Sequence, residues 1–294
     1  MSEDVKPTRE KLVSHGATLV AESWGEPSRA GIILLHGGGQ TRHAWRNSGA
    51  QLARLGYRVT IPDLRGHGES DWSPDGRYSA ELFADDVRAW CAREPAPPVV
   101  VGASLGGLSS LFALGEAPQT AVRALVLVDI AHRGEPVGVS RILNFMRAYP
   151  DGFESFEQAT AAVAQYLPHR AVASAGEGLR KNLRERDGRL KWHWDPRLLQ
   201  GSDSGEQREQ NAQRLLRAAR AIDAPILLVR GAESDLLSPE IADQFCAEVP
   251  RARRVDVHGA RHMVAGDQND PFLDVIVEFL AQPELATCAL ASAQ

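Results

Sequence analysis

Short, continuous apolar runs recur between segments of helical spacing. This alternation constrains the fold of the 294-residue chain more than any other feature. Gly31–Leu35 (GIILL), Tyr57–Pro62, Pro98–Val101, Arg123–Asp129 (RALVLVD), Ala224–Arg230 (APILLVR) and Arg254–Val257 read as strands. Gly31–Leu35, short, continuous and apolar, reads as a strand buried on both faces. Between them, Arg46–Leu55, Ala80–Arg93, Ser104–Leu114, Pro239–Glu248 and Asp270–Leu280 have helical spacing; Leu82, Phe83, Val87 and Trp90, for example, share one side. Strands alternating with helices imply βαβ units, hence a mostly parallel sheet covered by helices on both faces. Ahead of this pattern, Lys11–His15 and Thr18–Trp24 suggest a hairpin turning at Gly16.

The alternation breaks once. From about His132 to Ala221 only helical patterns are expected, with Ile142, Leu143, Phe145, Met146 and Tyr149 on one face. Phe156, Ala159, Val163 and Leu167 share a second face, and Leu215, Leu216 and Ala219 a third. The expected organisation is one core in two parts, residues 1–131 and 222–294, interrupted by a helical insertion at 132–221. The tail after Pro283 is weakly patterned and expected to fray.

Composition excludes several function classes. Acidic side chains (38) outnumber basic ones (33) for a net charge of −5, which disfavours a nucleic-acid partner. No apolar stretch reaches the roughly 18 residues a membrane helix needs. The polar start MSEDVKPTRE lacks the apolar segment of a signal peptide. Cys91, Cys246 and Cys288 show neither disulfide nor metal spacing. No HExxH pattern or zinc-spaced Cys/His pair occurs, so no metal or cofactor is expected; Asp267 and Asp270 read as caps of the last helix. A cytoplasmic protein acting on a small molecule is the expectation, with its oligomeric state open.

Gly102-Ala103-Ser104-Leu105-Gly106 matches G-x-S-x-G. The pattern alone is common, but here three valines precede it and an apolar helix pattern follows. That strand–turn–helix setting is what a nucleophile elbow requires. The turn strains the serine backbone, the glycines relieve crowding, and the hydroxyl stands at a helix N-terminus that favours developing negative charge.

With these residues in view, the chain resembles the α/β-hydrolase fold superfamily over nearly its whole length. His36-Gly37-Gly38-Gly39 stands where that family keeps its oxyanion loop. Asp63-Leu64-Arg65-Gly66-His67-Gly68-Glu69-Ser70 is similar to its D-x-R-G-x-G-x-S segment, and Arg230–Asp235 followed by Pro239 resembles its acid loop. The fold this implies is a mostly parallel central sheet with helices on both faces and an inserted helical cap.

The resemblance implies a general base after the last strand. His262, 158 residues after Ser104, matches; His258 lies nearer the strand end and is the runner-up. His36 and His67 belong to loop motifs and His15 sits at the hairpin, while His43, His132, His169 and His193 have no base-like context, although His132 could line a pocket. Asp235 is favoured as the acid that orients the imidazole, giving the order Ser…Asp…His; Asp129, ending the preceding strand, competes. The oxyanion would be held by the N–H groups of Leu105 and, by resemblance, Gly38. A Ser at the nucleophile position speaks against the epoxide hydrolase and haloalkane dehalogenase branches.

The cap would set substrate choice. Gly39, Phe145, Met146, Trp192 and Trp194 are the candidate substrate-binding residues. An apolar wall suits a small-to-medium carboxylic ester or lactone. The residues leave three rivals: a C–C bond hydrolase, a cofactor-free haloperoxidase or perhydrolase, and a non-catalytic ligand receptor of the same fold.

Overall fold

Backbone geometry explains the sheet before any side chain is considered. The computed structural model describes residues 6–166, 178–200, 205–262 and 269–286. β1 (Thr8–Ser14) and β2 (Ala17–Trp24) form the expected hairpin, turning through His15 and Gly16 at positive φ (45° and 74°). β3 (Gly31–Leu35), β4 (Arg58–Pro62), β5 (Val99–Ala103), β6 (Ala124–Val128), β9 (Ile226–Gly231) and β10 (Ala252–Val257) complete an eight-stranded sheet. Its order is β1-β2-β4-β3-β5-β6-β9-β10, antiparallel at β1/β2 and β2/β4 and parallel elsewhere.

The apolar runs are apolar throughout because both sheet faces are covered. Along β3, Ile33 and Leu35 point into a core with α2 (Ala80–Cys91), α3 (Leu105–Gly115) and α7 (Pro239–Glu248). Ile32 and Leu34 point the other way, toward α1 (Arg46–Arg54) and α8 (Leu273–Leu280). The period of two therefore appears as two cores rather than as polar alternation. The short α9 (Pro283–Ala286) closes the described chain.

Inside the insertion, α4 (Pro136–Arg147) and α5 (Phe156–Tyr166) are helical as their spacing predicts. The expectation of no strand there is corrected. β7 (Leu183–Arg186) and β8 (Arg189–Trp192) pair antiparallel across Asp187-Gly188, whose φ values are 54° and 72°. Both central residues at positive φ make this the tight hairpin turn for which Asp-Gly is a strong signal. The flanking strands are so rich in Arg and Glu that they show no apolar pattern. Phe145, Phe153, Ala159, Val163, Leu179, Trp192 and Trp194 form a separate small core in this insertion. By contrast, α6 (Gly205–Ala221) lies within the expected insertion yet buries Leu215 and Ala219 in the main core. Its backbone approaches α3 so closely that a Cβ on Gly115 would fall 2.1 Å from the Ala218 oxygen. Among the described residues no helix is long and apolar enough to cross a membrane.

Candidate active site

In a parallel sheet the loops after the strands gather at one edge, the usual place for a ligand. Here the loops after β3, β5, β6, β9 and β10 carry the HGGG run, Ser104, Asp129, Gly231–Leu237 and His262.

Ser104 sits between β5 and α3 at φ 44°, ψ −112°, a conformation side chains rarely adopt. The turn is tight because strand and helix nearly touch. A Cβ on Gly102 would lie 2.6 Å from the Gly106 backbone, and one on Gly106 2.7 Å from Leu35. Both flanking glycines are therefore steric necessities, and the strain on Ser104 is held by its surroundings.

His262 is buried, and its Nδ1 lies 2.8 Å from Asp129 Oδ2. Asp129 is itself held firmly. Its Oδ1 accepts the Gly231 N–H at 3.0 Å, and its Oδ2 accepts the Ser234 hydroxyl at 2.6 Å. Its φ of 51° is a second strained backbone at the same edge. This corrects the preference for Asp235 as partner of the imidazole. The Asp235 side chain is 42% exposed and pairs with Arg141 of α4 at 3.0 Å, while that of Asp129 is 3% exposed. Asp235 belongs to the contact between cap and core: a Cβ on Gly138 of α4 would lie 2.3 Å from the Asp235 oxygen. The runner-up base, His258, is exposed.

Ser104 and His262 open onto one cavity of about 400 Å³, together with Gly38 and Leu105. Gly38 and Leu105 are neighbours, a Cβ on Gly38 falling 3.9 Å from the Leu105 side chain. The Leu105 N–H opens α3, where helix geometry provides no partner. Most of the remaining wall is apolar, with Phe83, Leu108, Phe112 and Ile130 from the core, Val139, Ile142, Leu143 and Met146 from α4, and Leu198 and Leu199 beyond the hairpin; His67, Tyr78, Ser79 and Ser109 add polar groups.

Of the five residues expected to touch substrate, Met146 alone lines this cavity. Phe145 turns into the cap core, stacking on Tyr166 at 4.2 Å and meeting Trp192 edge-on at 5.6 Å. Trp192 and Trp194 stack on each other at 4.6 Å and border an adjoining cavity instead. Gly39 adopts φ 76° and packs under Trp194 and Met146. Helical spacing identifies the buried stripe of α4 but not which part of it faces the cavity. Tyr78, Phe83, Phe112, Leu198 and Leu199 carried no such signal, because the chain folds back to bring them there.

The remaining loop histidines are structural. His36 Nε2 accepts the Leu64 N–H at 2.9 Å, so its proton sits on Nδ1, facing the Gly37 oxygen at 2.8 Å. His67 Nε2 accepts the Gly39 N–H at 3.2 Å, placing its proton on Nδ1 against the Arg65 oxygen at 3.0 Å. Burial lowers His36 to about 4 and His67 to about 3, so both stay neutral. His132 does not line the cavity; it stacks on Phe245, and burial lowers it to about 4. Asp270 pins α1 by accepting from Ser48 Oγ at 2.7 Å and Asn47 Nδ2 at 3.0 Å. Leu167, His169, Asp267 and Cys288 lie outside the described residues. Among the described residues, no three His, Cys, Asp or Glu side chains are grouped to hold a metal.

Comparison with known proteins places the fold in a family. The family model described as "alpha/beta hydrolase fold" matches residues 32–267. The chain is 32% identical to the esterase Rv0045c of Mycobacterium tuberculosis, over 86% of this chain and 83% of that protein. It is 29% identical to a 3-hydroxybutyrate-oligomer hydrolase of Cupriavidus necator, over 81% and 85% of the two chains. A solved structure of the M. tuberculosis esterase superposes with a TM-score of 0.73 at 28% identity, covering 94% of this chain and 93% of that one.

Proposed function

This chain belongs to the α/β-hydrolase fold family and is an ester hydrolase; from that premise we propose that it cleaves a small-to-medium carboxylic ester or lactone through an acyl-enzyme on Ser104. The observation that carries the reading is the buried Asp129–His262 pair at 2.8 Å, with His262 opening onto the cavity that Ser104 also faces.

The chemistry follows from proton placement. Ionised Asp129 accepts the Nδ1 proton of His262, leaving Nε2 unprotonated and able to receive one. As Ser104 Oγ attacks the carbonyl carbon, Nε2 takes the hydroxyl proton and Asp129 stabilises the imidazolium. The carbonyl π electrons move onto oxygen, where the Leu105 and Gly38 N–H groups donate to it. Each such donor contributes about 3–4 kcal/mol in the transition state. The tetrahedral species collapses, and His262 protonates the leaving alkoxide. A water then repeats the sequence on the acyl-enzyme, with His262 as base, releasing the acid and restoring Ser104.

Substrate class follows from the wall. A volume of about 400 Å³ lies toward the lower end of ligand pockets, roughly 300–1,000 Å³, and its lining is dominated by aliphatic and aromatic side chains. An acyl group with an apolar face fits; a highly charged one would lose its hydration without a partner. The relatives named an esterase and a hydroxybutyrate-oligomer hydrolase support ester cleavage.

The test is a panel of esters and lactones of graded acyl length, with Ser104→Ala as control and a vinylogous diketone to detect C–C cleavage. Turnover of short and aromatic esters that disappears in Ser104→Ala is expected. Equal turnover by both proteins would overturn the reading. Fluorophosphonate labelling of Ser104 separates a live hydrolase from a ligand receptor.

A further inference from the structure

Three consecutive peptide planes run through the glycine loop, and each is held by one imidazole. The Gly37–Gly38 plane carries the Gly38 N–H, and its oxygen accepts from His36 at 2.8 Å. The Gly38–Gly39 plane donates its N–H to His67 at 3.2 Å. The plane that follows presents the Gly39 oxygen to His193 Nε2 at 3.4 Å. His36 and His67 come from the core. His193 comes from the cap, immediately after β8, and is 1% exposed.

Its tautomer is fixed by its other bond. His193 Nδ1 lies 2.7 Å from the Gly68 nitrogen, and a backbone N–H can only donate. Nδ1 is therefore unprotonated, and the single proton sits on Nε2, facing Gly39. Burial lowers the His193 imidazole well below its ordinary range, in keeping with a neutral ring. The ring thus ties the Gly39 turn to the Gly68 turn. The neighbouring backbone strengthens the tie: Asp195 N–H donates to the Gly66 oxygen at 2.9 Å, and Asp195 Oδ2 accepts the Tyr78 hydroxyl at 2.7 Å.

Peptide planarity converts these bonds into catalytic geometry. With its own plane held by His36 and the two planes that follow held by His67 and His193, the Gly38 N–H has little freedom to turn, even in a run of three glycines that would otherwise be the most pliable backbone available. We propose that His193 is a positioning residue for the reaction: a cap-borne imidazole that completes the brace on the oxyanion loop, so the loop is set for catalysis only while the cap is docked. This rests on the reading of Gly38 as an oxyanion donor. The cap then does more than shape the cavity, because its docking and the stabilisation of the transition state are coupled.

The decisive variant is His193→Asn. The Asn amide oxygen can reach the place of Nδ1 and keep the Gly68 bond, but the side chain ends short of Gly39. It removes the brace while sparing the dock. Displacing a donor by a fraction of an ångström to an ångström costs up to about a hundredfold. The expected result on a p-nitrophenyl ester is a kcat lowered roughly tenfold to a hundredfold, with KM within about twofold. Affinity for an alkyl trifluoromethyl ketone, whose hemiketal oxyanion needs the same donors, should fall by a similar factor. Rates are normalised to sites titrated with a fluorophosphonate, so a misfolded fraction does not count. His193→Ala, assayed with and without added imidazole, gives an independent reading: partial recovery of kcat is expected. Unchanged kcat and ketone affinity in His193→Asn, with Ser104→Ala inactive, would overturn this inference and leave the proposed function standing. Full activity in Ser104→Ala would remove both.

Discussion

The acid of the triad can be decided by exchanging one oxygen for one nitrogen. In Asp129→Asn the amide must satisfy the same neighbours as the carboxylate. The Gly231 N–H, 3.0 Å from Oδ1, demands an acceptor there, so the amide oxygen takes that place. The NH₂ group then occupies the place of Oδ2, 2.8 Å from His262 Nδ1. The Ser234 hydroxyl loses its acceptor in this orientation, its two lone pairs being already taken by the Leu236 and Leu237 N–H groups at 3.1 and 3.2 Å, but its hydrogen can rotate away whereas the Gly231 N–H cannot. A donor facing Nδ1 forces the imidazole proton onto Nε2, the atom that must take the proton from Ser104. Loss of the correct tautomer in such a triad lowers kcat by about 10⁴, equivalent to about 5.5 kcal/mol of barrier. Asp235→Asn removes only a pair whose partners are 50% and 42% exposed, an interaction of about 0–1 kcal/mol. Its kcat should stay within about threefold. Steady-state hydrolysis of an activated ester by both variants, with thermal melting as a fold control, gives the comparison. A folded Asp129→Asn retaining a tenth or more of the activity, or an Asp235→Asn losing a thousandfold, would refute the tautomer argument.

Three further outcomes follow from the same geometry. Ser104→Ala should lose fluorophosphonate labelling and roughly 10⁵-fold or more of kcat while keeping its melting temperature; retained labelling, read by intact mass, would place the nucleophile elsewhere. His36 and His67 stay neutral in the fold down to about 4 and 3, whereas free imidazoles protonate below about 6.5. Unfolding therefore takes up protons in the window from about pH 6.5 to 4, and stability falls as pH falls. Each ring contributes about 2 kcal/mol of that loss at pH 5, so His67→Gln should flatten the urea-derived stability slope by about 1.4 kcal/mol per pH unit; an unaltered slope would contradict this. Met146→Trp should fill part of the 400 Å³ cavity and move the preference toward shorter acyl chains, read as kcat/KM against chain length at about 1–3 kcal/mol per excluded methylene. An unshifted optimum would remove Met146 from the acyl wall.

The parts of this molecule legible from sequence are those fixed by local chemistry. Strands β3, β5, β6 and β9 are short apolar runs because they are buried on both sides, and no other element type fits runs that short between helices. Ser104 was legible because its strained turn imposes glycines two residues away on either side. The β7–β8 hairpin was hidden because its strands are mostly half-buried and carry Arg, Glu and Lys; only Asp187-Gly188 announced it. The aromatic cap residues were legible as buried but not as turned from the substrate. Phe145, Trp192 and Trp194 make their own core, a choice set by packing between segments far apart in the chain.

The acid shows why distance along the chain is a poor guide to the site. β6 and β9 are neighbours in the sheet, with Val128 opposite Val229, so the loops that follow them open side by side. Asp129 and Asp235 therefore both arrive near the right place, and the family order Ser…Asp…His holds for either. Direction separates them. Asp129 turns inward at φ 51° directly after its strand, while Asp235 lies four residues beyond β9 and faces out toward Arg141. The β9 loop has nevertheless kept a part in the site: the Gly231 N–H and the Ser234 hydroxyl both bind the Asp129 carboxylate and fix which oxygen meets His262. With the carboxylate supplied from β6, the next residue of that loop is free to hold α4. One loop thus holds the Asp129 carboxylate through Ser234 and pairs with α4 through Asp235. The insertion meets core loops through His193 as well as at Asp235, and a displacement of it would be felt at both.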